Sequence, residues 1–594
     1  MSALRAGRVA RGGGDRGDAL TQAAAAAASE ELGSLADRFW EGFLAAYPTW
    51  ATVIGDRRFD DRLEDASADA IARRIQWLES VAAAADRLEV GALDATERVT
   101  RQMLVDEARG QADSLRTGMH EWTVDPLSGP TVGLLDLPDY QTIRTPADGR
   151  ALVARWRDAG RYLDQVRAGL REAAGDGRVA VATPVQRQIE VLETLEQVAP
   201  PDWKLAAPAA EAHDDWSNAD LQTFQRDVIE AVSEVAIPAF RRYRETLQHD
   251  IAPIARSADQ PGLVHLPGGA KTYRALIRVH TTLDLPPEEI HATGLAEIER
   301  IDGEFVELGR RVLGTHDLES TLAALRDDPR LRFSSSDEVF ETARRSLARA
   351  QTAVGDWFGR IPAAACVVVP IPSHSEVHQT IAYYSWPAMD GSRPGRYYIN
   401  LYAPETRPRY EAEALAFHEA VPGHHLQIAV AQELAGLPAF QRMLGSTAFA
   451  EGWGLYTERL SDEMGLYTSD MDRFGILSFD AWRAGRLVVD TGMHALGWTR
   501  RQAIDFLKQH SALGENNIAN EVDRYIVWPG QALAYKVGQL EIARLRRQAE
   551  ARLGARFDIR AFHDTVLGSG AVSLPVLRGL VDDWLTAEAM AEAG

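Results

Sequence analysis

The chain has 594 residues, 86 acidic and 64 basic, for a net charge of −22. A surface this acidic argues against nucleic acid and against an anionic membrane face as partners. A single cysteine, Cys366, rules out a disulfide framework within the sequence, so an oxidising compartment offers no covalent support and a cytoplasmic location is expected.

The hydrophobic fraction of 45% is that of an ordinary globular protein, and no run approaches the roughly 18 apolar residues of a membrane helix. Residues 1–29 read as a disordered lead-in. Arg5, Arg8, Arg11 and Arg16 sit among Gly and Ala, and Ala23 to Ala28 are too weakly apolar for a secretory signal. From Glu30 the pattern turns helical, with Leu32, Leu35, Phe39 and Phe43 at three- and four-residue steps. Ser67 is a candidate N-cap for a second helical run. Residues 121–145 are dense in breakers and predict a long ordered loop, a candidate cleft wall. Helices resume at Pro146 and Pro184. Pro286-Pro287-Glu288-Glu289 then puts proline and acids in a first turn, where the helix dipole favours them.

Strand character is confined to the middle of the chain. Cys366 to Pro372, Thr380 to Trp386 and Arg396 to Tyr402 are β-branched or aromatic. Beyond residue 410 the pattern is helical almost to the end, with no flexible linker. Residues 30–594 therefore read as one mostly α domain with a small sheet at about 365–402 and a metal site at 418–451.

The site begins in Phe417-His418-Glu419-Ala420-Val421-Pro422-Gly423-His424-His425. A His-Glu pair followed by another His is how zinc hydrolases place two imidazoles and a general base on one helix. The usual gap between Glu and the second His is two residues; here it is four. On a straight helix His418 and His424 would point about 120° apart, and His425 would lie about 10 Å along the axis. Neither can share an ion with His418 unless the helix is broken. Pro422, which lacks an N–H, and Gly423, which is conformationally free, supply the break. His424 needs the smaller distortion and is the favoured second ligand, with His425 as competitor. Glu451, in Phe449-Ala-Glu-Gly-Trp, is the candidate third ligand. Glu458 is an alternative ligand or a partner to a ligand His. Glu419 would serve as general base and then acid.

These segments, with Arg396-Tyr-Tyr-Ile-Asn-Leu-Tyr, Trp482 to Trp498, Arg524 to Lys536 and Phe557 to His563, resemble the bacterial family called domain of unknown function 885. The resemblance covers nearly the whole chain from about residue 35. That family looks related to the glutamate-zincin peptidases, including neurolysin-like oligopeptidases and carboxypeptidase Taq. The resemblance implies a neurolysin- or thermolysin-like arrangement with a small sheet beside the zinc helix, one zinc ion, and two His with a downstream Glu as ligands.

Further candidates follow from residue chemistry. Tyr535, and after it Tyr525, could steady an oxyanion. Arg524 and Lys536 could hold a peptide carboxylate. Arg483 and Arg486 could do the same, and His494 could donate to the transition state. Alternatively, Arg486, Asp490 and His494 could form a buried structural network. Tyr398 and Asn400 lie on the strand that would pair with a substrate backbone. His374 and His378 read as loop residues beside the strand-like region. The expected function is zinc-dependent hydrolysis of peptide or amide bonds in short peptides or peptide-like molecules, with exopeptidase, carboxypeptidase-type action favoured. A metal-dependent amidase or esterase acting on a non-peptide metabolite, and a non-catalytic binding protein, are the alternatives.

Overall fold

The computed structural model describes residues 14–372, 376, 380–388, 391 and 393–593. Helix α1 spans Gly14–Ala46, which corrects the expected lead-in: the chain is helical from Gly14, and residues 1–13 lie outside the described residues. Six consecutive alanines explain this, because alanine is the best helix former and loses no side-chain entropy. Leu32, Leu35, Phe39 and Leu44 point into the core, as their spacing predicts.

Helices α2 (Ala68–Arg87) and α3 (Ala95–Arg116) pack side by side. The Ser67 side chain caps α2 by accepting from the Ala70 N–H. Asp94 and Glu97 cap α3 reciprocally. The breaker-dense 121–145 region is not a single loop. It folds into short helical turns, Pro130–Asp136 and Leu137–Asp139, each with proline near its start. Helices α4 (Pro146–Gly175) and α5 (Asn218–Ala231) enclose a core of their own around Leu152, Trp156, Phe224 and Phe240. Helix α6 (Pro287–Val312) starts on its prolines with Glu288 and Glu289 in the first turn.

The three predicted strands form one small sheet: β1 (Cys366–Pro370), β2 (Ala382–Ser385) and β3 (Gly395–Ile399). The order is β1-β3-β2, with β1 parallel and β2 antiparallel to β3. Strand β3 is therefore central and hydrogen-bonded on both sides, which removes it as the strand a substrate could join. Residues alternate between faces, and register places Tyr384 opposite Tyr397 and Tyr383 opposite Tyr398. Tyr397 is fully buried, whereas the Tyr383 and Tyr398 rings stack at 4.7 Å on the other face.

Among the helices that follow, six bear the candidate site residues or pack against them: α7 (Ala412–Glu419), α8 (His424–Glu433), α9 (Thr447–Glu463), α10 (Arg473–His494), α11 (Glu515–Val527) and α12 (Leu533–Leu553). They share the main core with α1–α3, through Phe39, Phe417, Trp453, Tyr525 and Leu533 among others.

Candidate metal centre

Helix α7 is buried on every face from Glu413 to His418. It stops at Ala420, whose ψ of −109° is outside the helical range. The Val421–Pro422 peptide is cis. Gly423 then passes so close over the end of α7 that a Cβ there would lie 1.9 Å from the His418 carbonyl oxygen. Only glycine fits. The His425 N–H bonds to the Ala420 carbonyl at 3.0 Å, and α8 begins at His424. The break anticipated at Pro422-Gly423 is thus a tight fold-back between two helices.

Its effect is to bring His424 to His418. The two rings meet edge to face with centroids 4.7 Å apart. Glu451 Oε2, from α9, lies 3.6 Å from His418 Nε2 and 3.5 Å from His424 Nε2. One atom from each of these three residues lies within 4.8 Å of the others. Two ligands about 2.0–2.1 Å from one ion at a tetrahedral angle sit about 3.4 Å apart, so this donor set fits zinc. His418 is buried, while His424 and Glu451 are partly exposed, leaving an open side.

The supporting contacts fix these atoms. Glu458, one of the alternatives for the third ligand, instead takes a hydrogen bond from His418 Nδ1 at 2.8 Å, which turns Nε2 toward Glu451. Gly454 lets α9 lie on the His418 ring; a Cβ there would be 2.7 Å from Cε1. Gly452 meets Gly538 of α12 backbone to backbone, with a notional Cβ only 2.4 Å from the Gly538 carbonyl carbon. Trp453 Nε1 donates to the Pro422 carbonyl at 3.0 Å and ties the fold-back to α9.

The electrostatics favour a cation. Burial works against a charged His418, yet hydrogen bonds to Glu451 and Glu458 raise its pKa to about 9. Burial likewise works against a charged Glu451, but its two histidine contacts hold its pKa well below the ordinary value. Glu419, on the same turn as His418, makes no hydrogen bond or ion pair among the described residues. Its charge acts on His418 and on Tyr397. Tyr397 was missed in the sequence, although strand alternation marks it: it shares a face with Tyr384, whose hydroxyl bonds to His425 on α8. Its own hydroxyl is buried without a partner, and burial, then Glu419, raises its pKa.

The other candidates are distributed differently. His425 is committed on both sides, with Nδ1 to Tyr384 Oη at 2.8 Å and Nε2 to the Ala364 carbonyl at 3.1 Å. Tyr398 faces away from α7 and accepts from Arg396. Asn400 lies past the end of β3 and holds the Glu376 and Thr380 carbonyls. Lys536 is sealed in an ion network with Asp480 and Glu297. His494 is fully buried, accepting from the Leu263 N–H and bonded to the Tyr525 carbonyl. Tyr525 is held by Trp482, Arg486 and Glu521. These groups build the fold, because every polar atom named is already paired inside it. Tyr535 is different: its ring lies against Arg486, and its hydroxyl takes only a long 3.4 Å contact from Arg524. His374 and His378 lie outside the described residues.

Asp490 accepts from the Tyr273 hydroxyl and the Gly530 N–H, and burial raises its pKa to about 7. A carboxyl whose pKa is raised by folding stabilises the fold fully below its unfolded value of about 3.9. That contribution is lost as pH rises toward 7. Asp490→Asn mimics the protonated acid. Thermal unfolding from pH 5 to pH 8 should show the wild type losing up to about 2.5 kcal/mol relative to the variant. Parallel curves would count against this assignment.

Among the described residues no helix is long and apolar enough to cross a membrane. In fold, the chain resembles the crystal structure of a protein provisionally described as a lipoprotein from Colwellia psychrerythraea. That match has a TM-score of 0.89 at 27% identity, covering 94% of this chain and all of the other. A protein from Shewanella oneidensis, provisionally described as a lipoprotein of unknown function, matches with a TM-score of 0.73 at 18% identity, over 92% of this chain and 99% of its own. No functionally curated protein matches. The family model for bacterial proteins of unknown function, DUF885, matches residues 48–581, and the chain belongs to that family.

Proposed function

We propose that this protein is a one-zinc hydrolase of peptide or amide bonds in short peptides or peptide-like molecules. The observation that carries the reading is the convergence of His418, His424 and Glu451 at spacings of 3.5 and 3.6 Å, across the fold-back between α7 and α8. Glu419, a carboxylate with no other partner among the described residues, adjoins that set. The glutamate-zincin likeness rests on the same residues and belongs to this proposal.

Zinc bound there would polarise the scissile carbonyl and lower the pKa of an adjacent water toward about 7. Glu419 then takes the proton of the attacking water and delivers it to the leaving nitrogen, which balances the cleavage. Glu458 keeps His418 in the tautomer with Nε2 free. Tyr535 is the candidate donor to the developing oxyanion. The acidic surface and many-helix enclosure suit small substrates better than folded proteins.

The test is direct. Protein purified at neutral pH should carry one zinc per chain by elemental analysis, lose hydrolysis of a short-peptide panel on chelation, and regain it with zinc. Acylated small molecules run beside the peptides distinguish a peptidase from an amidase or esterase. Protein that holds no zinc and cleaves neither panel is a binding protein instead. Two locations remain to be separated by cell fractionation: the cytoplasm, suggested by the cysteine-poor sequence, and the membrane-attached position implied by the neighbours' lipoprotein description.

A further inference from the structure

A buried guanidinium with no counter-ion is costly, and proteins normally pair it. Arg483 is only 5% exposed, and among the described residues it has neither a hydrogen bond nor an ion pair. Its Nε and Nη1 are buried without a partner. What surrounds it is aromatic: its guanidinium carbon is 4.6 Å from the Phe479 ring centroid, 4.5 Å from that of Trp482 and 6.0 Å from that of Tyr535.

One turn along α10, Arg486 donates Nε to the Tyr525 hydroxyl and Nη2 to Glu521, while its Nη1 is also buried without a partner. It lies 4.4 Å from the Tyr535 ring. Arg524 reaches the same tyrosine's hydroxyl from α11. Glu521 is the carboxylate that pairs with this group, contacting Arg486 and Arg524. Glu411 feels the charge of Arg483, but it accepts from Ser478, and burial raises its own pKa. Arg486 and Arg524 thus share one carboxylate, Arg483 pairs with none among the described residues, and three donor atoms of Arg483 and Arg486 are unfilled.

The cluster is not remote from the metal centre. Helix α10 packs on both α7 and α12. Tyr535 lies one turn before the Gly538 contact with Gly452, the residue next to Glu451. We propose that Arg483, with Nη1 of Arg486, binds the free terminal carboxylate of the substrate. The proposal deepens the hydrolase reading and rests on it for the word substrate. A planar guanidinium offers the paired donors a carboxylate needs, and the aromatic walls keep water from competing. The ligand class is peptides or N-acyl amino acids with an unblocked C-terminus, which makes the reaction release of a C-terminal residue.

The probes are acetyl-Ala-Phe and its C-terminal amide, titrated calorimetrically into full-length protein carrying Glu419→Gln, so that neither is turned over. The parent should prefer the acid by about 10- to 100-fold, the worth of a charge-assisted hydrogen-bond pair. Adding Arg483→Gln should abolish the preference by weakening the acid alone, and Arg483→Lys should restore part of it. The melting temperature of the Arg483→Gln protein should equal or exceed that of its parent, because an unpaired buried charge has gone. Equal binding of the two probes by the parent, an undiminished preference after Arg483→Gln, or a variant that is strongly destabilised would each overturn the proposal. Binding is read without turnover, so the two readings fail separately. An acid preference in a protein that never hydrolyses peptides defeats the hydrolase reading alone; peptide hydrolysis without the preference defeats the carboxylate site alone.

Discussion

Glu419→Gln is expected to retain zinc and to lose peptide hydrolysis by about 10²- to 10⁴-fold, the usual worth of a positioned general base. The side chain is nearly isosteric, so the end of α7 and the fold-back after it should be unaffected. The His418 and Glu451 geometry does not use Glu419 at all: His418 is held by Glu458, and Glu451 faces the two imidazoles. Zinc content should therefore stay at one per chain while kcat falls. The measurement is kcat with occupancy determined on the same sample. Turnover at the wild-type rate would remove Glu419 from the mechanism, and loss of zinc would make it a ligand.

The second large effect separates two neighbouring histidines. His424→Ala should reduce zinc affinity by more than the roughly 10–100-fold that loss of a supporting contact costs, and activity should fall with it. His425→Ala should keep zinc and lose stability instead. It removes two hydrogen bonds, to Tyr384 and to the Ala364 carbonyl, that tie α8 to the sheet. That loss is worth about 1–3 kcal/mol when partners are left buried. Zinc titration and thermal unfolding of both variants give the answer. The opposite pattern, zinc lost in His425→Ala and kept in His424→Ala, would reverse the assignment.

The helix break was legible because it is local: a proline and a glycine between two histidines leave few alternatives. The preference for His424 over His425 was legible too, from the smaller distortion it needs; what the sequence does not show is how Gly423 passes over the His418 carbonyl to achieve it. The strands were also legible, to within a few residues, from their aromatic and β-branched content. Their order was not, and order decides function here, because a central β3 has no edge to offer. Tyr398 and Tyr397 are adjacent in sequence and opposite in space; the choice between them requires knowing which face meets α7 and α8. Lys536 and His494, read as candidate substrate contacts, are paired inside the fold, and the sequence does not show this. Their partners, Asp480, Glu297 and the backbone at Leu263 and Tyr525, are far away in the chain, so nothing local marks these groups as already paired. Arg483 is the reverse case. Its lack of partners is a property of the fold alone, and only a three-dimensional accounting of donors reveals it.

The Gly452–Gly538 crossing has a mechanical consequence. Two helices whose backbones touch have no side-chain layer to shear through, so α9 and α12 move as one body. One presents Glu451 and the other Tyr535, so the proposed carboxylate ligand and the candidate oxyanion donor are held at a fixed separation. Any widening needed to admit a substrate must be taken up outside this pair. Gly452→Val would force the helices apart, and Glu451 and Tyr535 would lose their spacing together.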